Sequence, residues 1–173
     1  MHKIYYILHG YNGYPEENWF PWLKAELEKL GGKVIVPLLP HTEAPQLDEW
    51  MATLQAAIKT NGEGTVIGHS LGGTLAMRYV EAGGKPGQVI LVAAPFEKII
   101  EIPDINNFLE KSWGIPAQAL IDTEFTVIGS EDDPYVPVKH ARQWANLLEV
   151  KPIILPDKGH FGESPFPEIL NYL

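Results

Sequence analysis

The amino-acid sequence predicts an α/β protein, with a mainly parallel sheet of about six strands and helices on both faces of the sheet. Two observations lead to this prediction. Short apolar runs alternate along the chain with segments of helical periodicity. The apolar runs are continuous rather than alternating with polar residues, which is typical of parallel strands that helices cover on both faces. We expect a single domain over residues 1–173.

The predicted strands are the apolar, β-prone runs at residues 4–8, 33–37, 65–68, 88–93, 125–129 and 152–155. Helical spacing of apolar side chains predicts helices between and after these runs, at residues 18–30, 46–59, 71–82, 139–148 and 165–173. Pro21 fits only in the first turn of the first helix, and the glycines that follow this helix end it. Residues 94–123 are predicted to be irregular, with short helix-like pieces.

The composition excludes several classes of function. The 173 residues carry a formal net charge of -9, which argues against nucleic-acid and membrane partners, because phosphate binding needs clustered Lys and Arg. No apolar run approaches membrane-spanning length. The chain has no cysteine, so disulfides, thiolate catalysis and cysteine-based zinc sites are excluded. The first apolar run is too short for a signal peptide, and we expect a cytoplasmic protein that is a monomer or weak homodimer.

Ser70 lies where the third predicted strand passes directly into a helix, within the pattern Gly68-His69-Ser70-Leu71-Gly72. A G-x-S-x-G pattern between a strand and a helix is typical of a nucleophilic serine on a tight turn. The turn requires a positive φ at the serine, and the flanking glycines remove side chains that would collide with neighbouring backbone. Helix amides then favour negative charge beside the serine oxygen. The alternative is that Ser70 only caps the helix.

His160 and Asp133 follow two other predicted strands, and the carboxyl ends of parallel strands meet at the edge of the sheet where Ser70 lies. His160 is the candidate base, and Asp133 is the candidate acid that orients it. Pro134 biases Asp133 to an extended backbone, which favours it over its nearest rival, Asp132. The chain order Ser, Asp, His is that of α/β-hydrolases. The alternatives are a loop histidine that only bonds its surroundings and a solvated acidic turn.

The turn His9-Gly10-Tyr11-Asn12 follows the first predicted strand at the same edge of the sheet. Backbone N–H groups at such a turn, and at the start of the helix after the serine, can hold an oxyanion. We therefore predict that the Leu71 N–H and the Tyr11 N–H form the oxyanion hole. His9 itself is expected to be packed and hydrogen-bonded rather than catalytic.

Segments that cross above the strand ends are the candidate walls of a substrate cleft. Aromatic side chains in these irregular segments predict a partly open, aromatic-lined cleft that suits small or medium apolar acyl groups. The candidate substrate contacts are Asn12, His69, Phe96, Trp113, Tyr135 and Val136. The alternative for the aromatic side chains is core packing, which we prefer for the helical residues Trp19, Trp22, Trp50 and Trp144. For His69, the alternative is packing against the serine turn.

Several stretches that together span almost the whole chain resemble a known family: HGYNG, NWFPWLKAEL, VPLLP, GHSLGG, SEDDPYVP and GHF. The chain resembles the small serine hydrolases related to retinoblastoma-binding protein 9, in particular their bacterial members, within the α/β-hydrolase superfamily. This resemblance implies a three-layer α/β-hydrolase fold with a minimal cap domain or none. It also implies a catalytic triad, matched here to Ser70, Asp133 and His160. Mammalian members lack the His9-Gly10 pair.

These observations predict a serine hydrolase that cleaves carboxylic esters, or else thioesters or activated amides, through an acyl-enzyme on Ser70. His160 acts as the base, and Asp133 holds it in the useful tautomer. The chemistry needs no metal and no organic cofactor, and the expected partner is a small, ester-like molecule. Two alternatives stay open. One is a protein-binding module on a hydrolase scaffold with little or no turnover, and the other is a hydrolase-fold enzyme with lyase or acyltransferase chemistry.

Overall fold

The computed structural model describes residues 2–173, so Met1, where the predicted domain begins, lies outside the described residues. The strands within them are β1 (Ile4–Leu8), β2 (Lys33–Ile35), β3 (Thr65–His69), β4 (Gln88–Val92), β5 (Glu124–Ser130) and β6 (Ile153–Leu155). They form a six-stranded sheet in the order β2-β1-β3-β4-β5-β6, and every neighbouring pair is parallel. The predicted α/β class with a parallel sheet is confirmed.

The α-helices of residues 2–173 are α1 (Phe20–Lys29), α2 (Leu47–Asn61), α3 (Leu71–Glu81), α4 (Ala117–Asp122) and α5 (Lys139–Leu147). The predicted helices over 18–30, 46–59, 71–82 and 139–148 are confirmed, and Pro21 lies in the first turn of α1 as expected. A 3-10 helix at Pro103–Phe108 and the short α4 are the helical pieces expected in the irregular region. None of the described helices is long and apolar enough to cross a membrane.

The last helix, predicted at about residues 165–173, is present but is shorter than expected and is not an α-helix. Residues Pro167–Tyr172 form a 3-10 helix instead. Phe166 precedes a proline, which disfavours the helical region, and its backbone lies at φ -123 and ψ 71. Helical turns therefore begin only at Pro167, and the short remaining segment adopts the tighter i→i+3 pattern.

Hydrophobic cores cover both faces of the sheet, because successive strand residues point to opposite sides. On one face, α2, α3 and α5 pack on Leu8 and Leu91. On the other face, α1 and the C-terminal 3-10 helix pack on Ile7 and Ile90. The structure therefore has three layers, as expected. The packing alternative for the helical tryptophans is confirmed for the fully buried Trp19, Trp50 and Trp144, and Trp22 is partly buried.

Arg78 of α3 anchors the connection between β4 and β5, residues 93–123. Its buried guanidinium donates from Nε to Phe108 O at 2.9 Å and from Nη2 to Lys111 O at 2.7 Å. The guanidinium also stacks 3.7 Å from the ring centroid of Trp113. These contacts give an irregular segment a fixed position relative to α3.

Candidate active site

Ser70 occupies a sharp turn between β3 and α3. Its backbone lies at φ 53 and ψ -127, a region that residues other than glycine rarely adopt. The turn needs glycine on both sides, because a Cβ on Gly68 would clash with the Gly73 backbone and a Cβ on Gly72 would clash with the Leu8 carbonyl oxygen. Ser70 flanks the first turn of α3, yet its hydroxyl makes no capping hydrogen bond to the described residues. This observation argues against the helix-cap alternative.

The turn after β1 lies against Ser70 because Gly10 has no side chain. A Cβ on Gly10 would lie 2.9 Å from the Ser70 Cβ. The N–H groups of Tyr11 and Leu71 bond to no other residue in the described chain, and both residues line the cavity that holds Ser70. Unpaired amides beside a serine are what an oxyanion hole requires.

His9 fixes the position of this turn. Its buried Nε2 accepts the Leu39 N–H at 3.0 Å, so Nδ1 carries the proton and donates to Gly10 O at 3.2 Å. Burial lowers the pKa of His9, which keeps the imidazole neutral and this tautomer in place. The expectation that His9 is packed and hydrogen-bonded is confirmed.

His160 and Asp133 form a hydrogen-bonded pair in the loops after β6 and β5. His160 Nδ1 donates to Asp133 Oδ2 at 2.8 Å, and Asp133 Oδ1 accepts the N–H groups of Tyr135 and Val136 at 2.9 Å each. The Asp133 side chain is 1% exposed, so these bonds replace the water that it has lost. Because the carboxylate only accepts, Nδ1 of the neutral imidazole carries the proton and Nε2 is the basic atom. His160 and Ser70 line the same cavity.

Asp132 has different hydrogen-bond partners from Asp133, although the two are neighbours in sequence. Asp132 Oδ1 accepts the Ser130 hydroxyl at 2.6 Å and the Gly159 N–H at 2.9 Å. The bond from Ser130, and then the bond from Gly159, lower the pKa of Asp132. Asp132 therefore holds the loop that carries His160 next to β5, whereas Asp133 contacts the imidazole itself.

His69 packs behind His160 and does not line the cavity. Its Nε2 donates to the His160 backbone O at 2.8 Å, and its ring packs edge-on against Trp19 and Phe20. Burial, and then the nearby His160, lower the pKa of His69 to about 3. The ring is therefore neutral with its proton on Nε2, and Nδ1 is buried without a partner among the described residues. The structure corrects the candidate substrate contact at His69 to a packing and positioning role.

A cavity of about 940 Å³ contains Ser70 and His160 in its wall, a size within the range of small-molecule sites. The rest of the wall comes from the turn after β1, from residues 95–105 and from residues 134–140. Of the candidate substrate contacts, Asn12, Tyr135 and Val136 line this cavity. Within residues 2–173, no group of three or more His, Asp or Glu side chains is placed to hold a metal ion.

The structure does not bring Phe96 and Trp113 to the cavity wall. Their ring centroids lie 4.9 Å and 4.4 Å from that of Trp144, and the Trp113 indole N–H donates to Phe96 O at 2.8 Å. These aromatic side chains pack the β4–β5 connection onto α5 and are not free to meet a substrate. Aliphatic side chains of the same connection line the cavity instead, namely Ile99, Ile100, Ile102 and Ile105. The expected aromatic-lined cleft is therefore corrected to a mixed one, in which Tyr11 and Tyr135 are joined by these isoleucines and by the charged residues Lys98, Glu101, Asp104 and Lys139.

His140 is a cavity residue that the sequence interpretation missed. It lies in the first turn of α5, is buried, and accepts the Phe96 N–H on Nδ1 at 3.0 Å. It also lines the cavity that holds Ser70. A histidine at the start of an amphipathic helix has no distinguishing local pattern, and its place shortly after Asp133 is the one signal that could have found it.

Comparison with known proteins points to a single family. A family model described as serine hydrolase matches residues 5–171. The chain is 30% identical to YdeN of Bacillus subtilis (strain 168) over 170 residues, which cover 95% of this chain and 88% of YdeN. It is 24% identical to the serine hydrolase RBBP9 of Rattus norvegicus over 153 residues, which cover 88% of this chain and 82% of RBBP9. The resemblance inferred from the sequence motifs is confirmed.

Solved structures are similar to this one over nearly the whole chain. The crystal structure of the ydeN gene product from B. subtilis has a TM-score of 0.90 and 27% identity, and the match covers 98% of this chain and 96% of that one. MGS-MChE2, an α/β hydrolase enzyme from the metagenome of lagoon sediments of Mar Chica, Morocco, has a TM-score of 0.72 and 21% identity, covering 99% of this chain and 88% of its own. The α/β-hydrolase fold is confirmed.

Substitution of His69 tests how the His160 loop is positioned. His69→Leu removes the donor to the His160 carbonyl, whereas His69→Gln places an amide N–H near the same point. We expect His69→Leu to lower the free energy of unfolding by about 1–3 kcal/mol, because a part-buried carbonyl loses its partner, and to lower any turnover at Ser70. His69→Gln should retain more of both. Urea unfolding at pH 7 and steady-state ester kinetics measure the two effects.

The low pKa of His69 also gives an expected pH dependence of stability. As the pH falls, the unfolded chain takes up a proton at His69 near the ordinary pKa of 6.5, but the folded chain does so only near 3. The stability that neutral His69 supplies is therefore complete above pH 6.5 and is lost as the pH falls from 6.5 toward 3. The free energy of unfolding should fall more steeply over this range in the wild type than in His69→Gln. Equal slopes would contradict the assignment.

Proposed function

The chain belongs to the serine hydrolase family, and we propose that it hydrolyses carboxylic esters through an acyl-enzyme on Ser70. The observation that carries this proposal is the 2.8 Å hydrogen bond from His160 Nδ1 to the buried Asp133 carboxylate, beside the cavity that holds Ser70. This bond favours the imidazole tautomer whose Nε2 can accept a proton from a serine hydroxyl.

In the first half of the proposed reaction, Ser70 Oγ attacks the ester carbonyl carbon while His160 Nε2 accepts the hydroxyl proton. The carbonyl oxygen becomes an oxyanion and accepts hydrogen bonds from the Leu71 and Tyr11 N–H groups, which have no other partner in the described chain. His160 then gives its proton to the leaving alkoxide as the C–O bond breaks. The alcohol leaves, and the acyl group stays on Ser70.

In the second half, a water molecule takes the place of the alcohol. His160 Nε2 accepts a proton from the water as its oxygen attacks the acyl carbon, and the same amides hold the second oxyanion. When the bond to Ser70 Oγ breaks, Ser70 recovers the proton from His160, and the carboxylic acid leaves. Asp133 Oδ2 keeps its bond to Nδ1 and stabilises the imidazolium, while backbone N–H groups bond its other oxygen.

The cavity supports an ester with a small or medium aliphatic acyl group. Of the isoleucines between residues 99 and 105, Ile100 and Ile102 offer accessible apolar surface to the cavity that holds Ser70, whereas Ile99 and Ile105 are buried. Ile100 is 89% exposed. Each CH2 group that leaves water against such a surface stabilises the complex by about 0.8 kcal/mol. An ester is favoured over an amide because amide resonance makes the carbonyl carbon less reactive toward Ser70 Oγ.

A binding module without turnover is the other class of function that the fold allows. Binding alone gives no reason for the positive φ at Ser70, for unpaired amides beside it, or for a buried carboxylate that orients a histidine. These features favour catalysis. The cytoplasmic location and the monomeric or weakly dimeric state remain predictions from the sequence.

A fluorophosphonate tests the proposed nucleophile. We expect one phosphonyl group per chain, bonded to Ser70 Oγ with release of fluoride and measured by the mass of the intact protein. Ser70→Ala should take up none, and His160→Ala should react much more slowly because no base accepts the hydroxyl proton. A folded wild-type protein that takes up no reagent would contradict the proposal.

Matched substitutions at Asp133 and Asp132 test which of the two carboxylates orients His160. Asp133→Asn should lower kcat for a p-nitrophenyl ester by about 10⁴-fold, because the amide favours the wrong imidazole tautomer. Asp132→Asn keeps an oxygen that can accept the Gly159 N–H, and we expect a loss of about tenfold or less. Equal losses in the two variants would count against the assigned roles.

Acyl-chain length tests the apolar part of the cavity wall. For p-nitrophenyl esters from acetate to octanoate, kcat/KM should rise by about fourfold for each CH2 group that becomes buried. Ile100→Ser should flatten this rise with little effect on stability, because the side chain is exposed. A wild-type profile that is flat or falls with chain length would show that the isoleucines do not receive the acyl group.

A further inference from the structure

The cavity contains a buried polar group that the proposed mechanism does not use, the imidazole of His140. We infer that His140 Nε2–H is a fixed hydrogen-bond donor for an oxygen atom of the substrate. The preferred substrate is then an ester that carries a second, neutral oxygen acceptor besides its reacting carbonyl. This inference rests on the proposed function and defines its substrate class more closely.

The tautomer of His140 follows from its bond to the backbone. Nδ1 accepts the Phe96 N–H at 3.0 Å, so Nδ1 carries no proton. A neutral imidazole has one ring proton, and this proton must therefore lie on Nε2. The backbone N–H of His140 also donates to Pro137 O at 2.9 Å, which fixes the residue at the start of α5. The donor is held in place before any substrate arrives.

The direction of the donor follows from its exposure. His140 is 2% exposed and lines the cavity. Its Nε2 bonds to no residue in the described chain, yet it is not sealed from solvent, in contrast to the buried and unpartnered Nδ1 of His69. The small accessible part of the ring is therefore the part that reaches the cavity, and it includes an unpaired N–H.

The charge of the ring decides which kind of acceptor it suits. Burial, and then the adjacent Lys139, lower the pKa of His140, while Glu97 and Asp133 act in the opposite direction. Lys139 is itself bonded to Glu97 at 2.7 Å. A neutral ring offers a donor without a positive charge, which suits an ether, hydroxyl or carbonyl oxygen better than a carboxylate.

The surroundings make this donor selective. The cavity residues next to Phe96 and around His140 in sequence are Pro95, Val136, Pro137 and Lys139. The first three have apolar side chains and Lys139 is a donor bonded to Glu97, so none of these side chains can accept the Nε2–H. An all-carbon chain that fills this part of the cavity would leave the donor unpaired, which is costly in an apolar site. A site built to bond a substrate oxygen rejects the analogue that lacks it far more strongly than an apolar pocket rejects one methylene group.

The test is an oxygen scan of the ester. In hexyl hexanoate, single CH2 groups from the third carbon of each half outward are replaced by an ether oxygen, in the acyl half in one series and in the alcohol half in another. Positions nearer the ester group are left out, because an oxygen there would give a carbonate, a peroxy ester or an acetal instead of an ether. Proton release measures kcat/KM for every compound, corrected for its rate with hydroxide alone. We expect the wild type to prefer the oxygen ester at one position by about tenfold to a hundredfold. The series that contains this position identifies the half of the substrate that reaches His140.

A pair of variants separates recognition from structure. In His140→Asn, Oδ1 can replace Nδ1 as the acceptor for the Phe96 N–H, but the donor into the cavity is lost. In His140→Gln, the terminal amide N–H lies near the position of Nε2, but the acceptor for Phe96 is lost. Because each preference is a ratio of two esters within one protein, an overall change in activity cancels. The oxygen preference should fall to within about twofold of unity in His140→Asn and persist in His140→Gln.

Titration with the fluorophosphonate gives the folded, reactive fraction of each variant, so that poor folding does not imitate a lost preference. A wild type that hydrolyses the parent ester without any oxygen preference overturns the inference and leaves the hydrolase proposal intact. A preference that survives in His140→Asn, or that is lost only in His140→Gln, also overturns it, because His140 then has a structural role alone. Absence of both labelling and hydrolysis overturns the proposed function and this inference with it.

Discussion

The position of Ser70 depends on glycines, which have no side chain, at the points where backbone segments pack closely around it. A Cβ on Gly72 would clash with Leu8 O, and a Cβ on Gly10 would lie 2.9 Å from the Ser70 Cβ. Because these approaches are so close, the end of β1, the end of β3 and the start of α3 meet at one serine. The strained backbone of Ser70 and the unpaired amides beside it both follow from this packing. A larger residue at Gly10 would move the turn after β1 away from the serine.

The histidines around this site differ in role because their ring nitrogens have different partners. His9, His69 and His140 each bond a backbone group through a ring nitrogen, and burial lowers the pKa of all three, so they are neutral with fixed tautomers. His160 is 20% exposed at its side chain and pairs with a carboxylate instead. Histidine therefore has four roles at this site. His9 anchors the turn after β1 and His69 supports the His160 loop. His140 is the proposed donor to the substrate, and His160 is the proposed base.

The strands and Ser70 could be predicted because their signals are local. A continuous apolar run marks each strand, and the G-x-S-x-G pattern between a strand and a helix marks the serine. The cavity wall depends on long-range contacts, which no local pattern contains. Phe96 and Trp113 are aromatic residues in an irregular segment, but both rings pack against Trp144, which lies in the later helix α5. His140 becomes a donor into the cavity only because a distant backbone N–H occupies its other nitrogen.

Passage of the acyl group through Ser70 is the step on which the proposed chemistry depends. It can be observed by acid quenching during turnover of a slowly deacylating ester, followed by intact mass measurement and peptide mapping. We expect the acyl mass on the peptide that carries Ser70, formed before the steady state and lost as substrate runs out, with none in Ser70→Ala. An acyl group on another residue, or full turnover in Ser70→Ala, would contradict this mechanism.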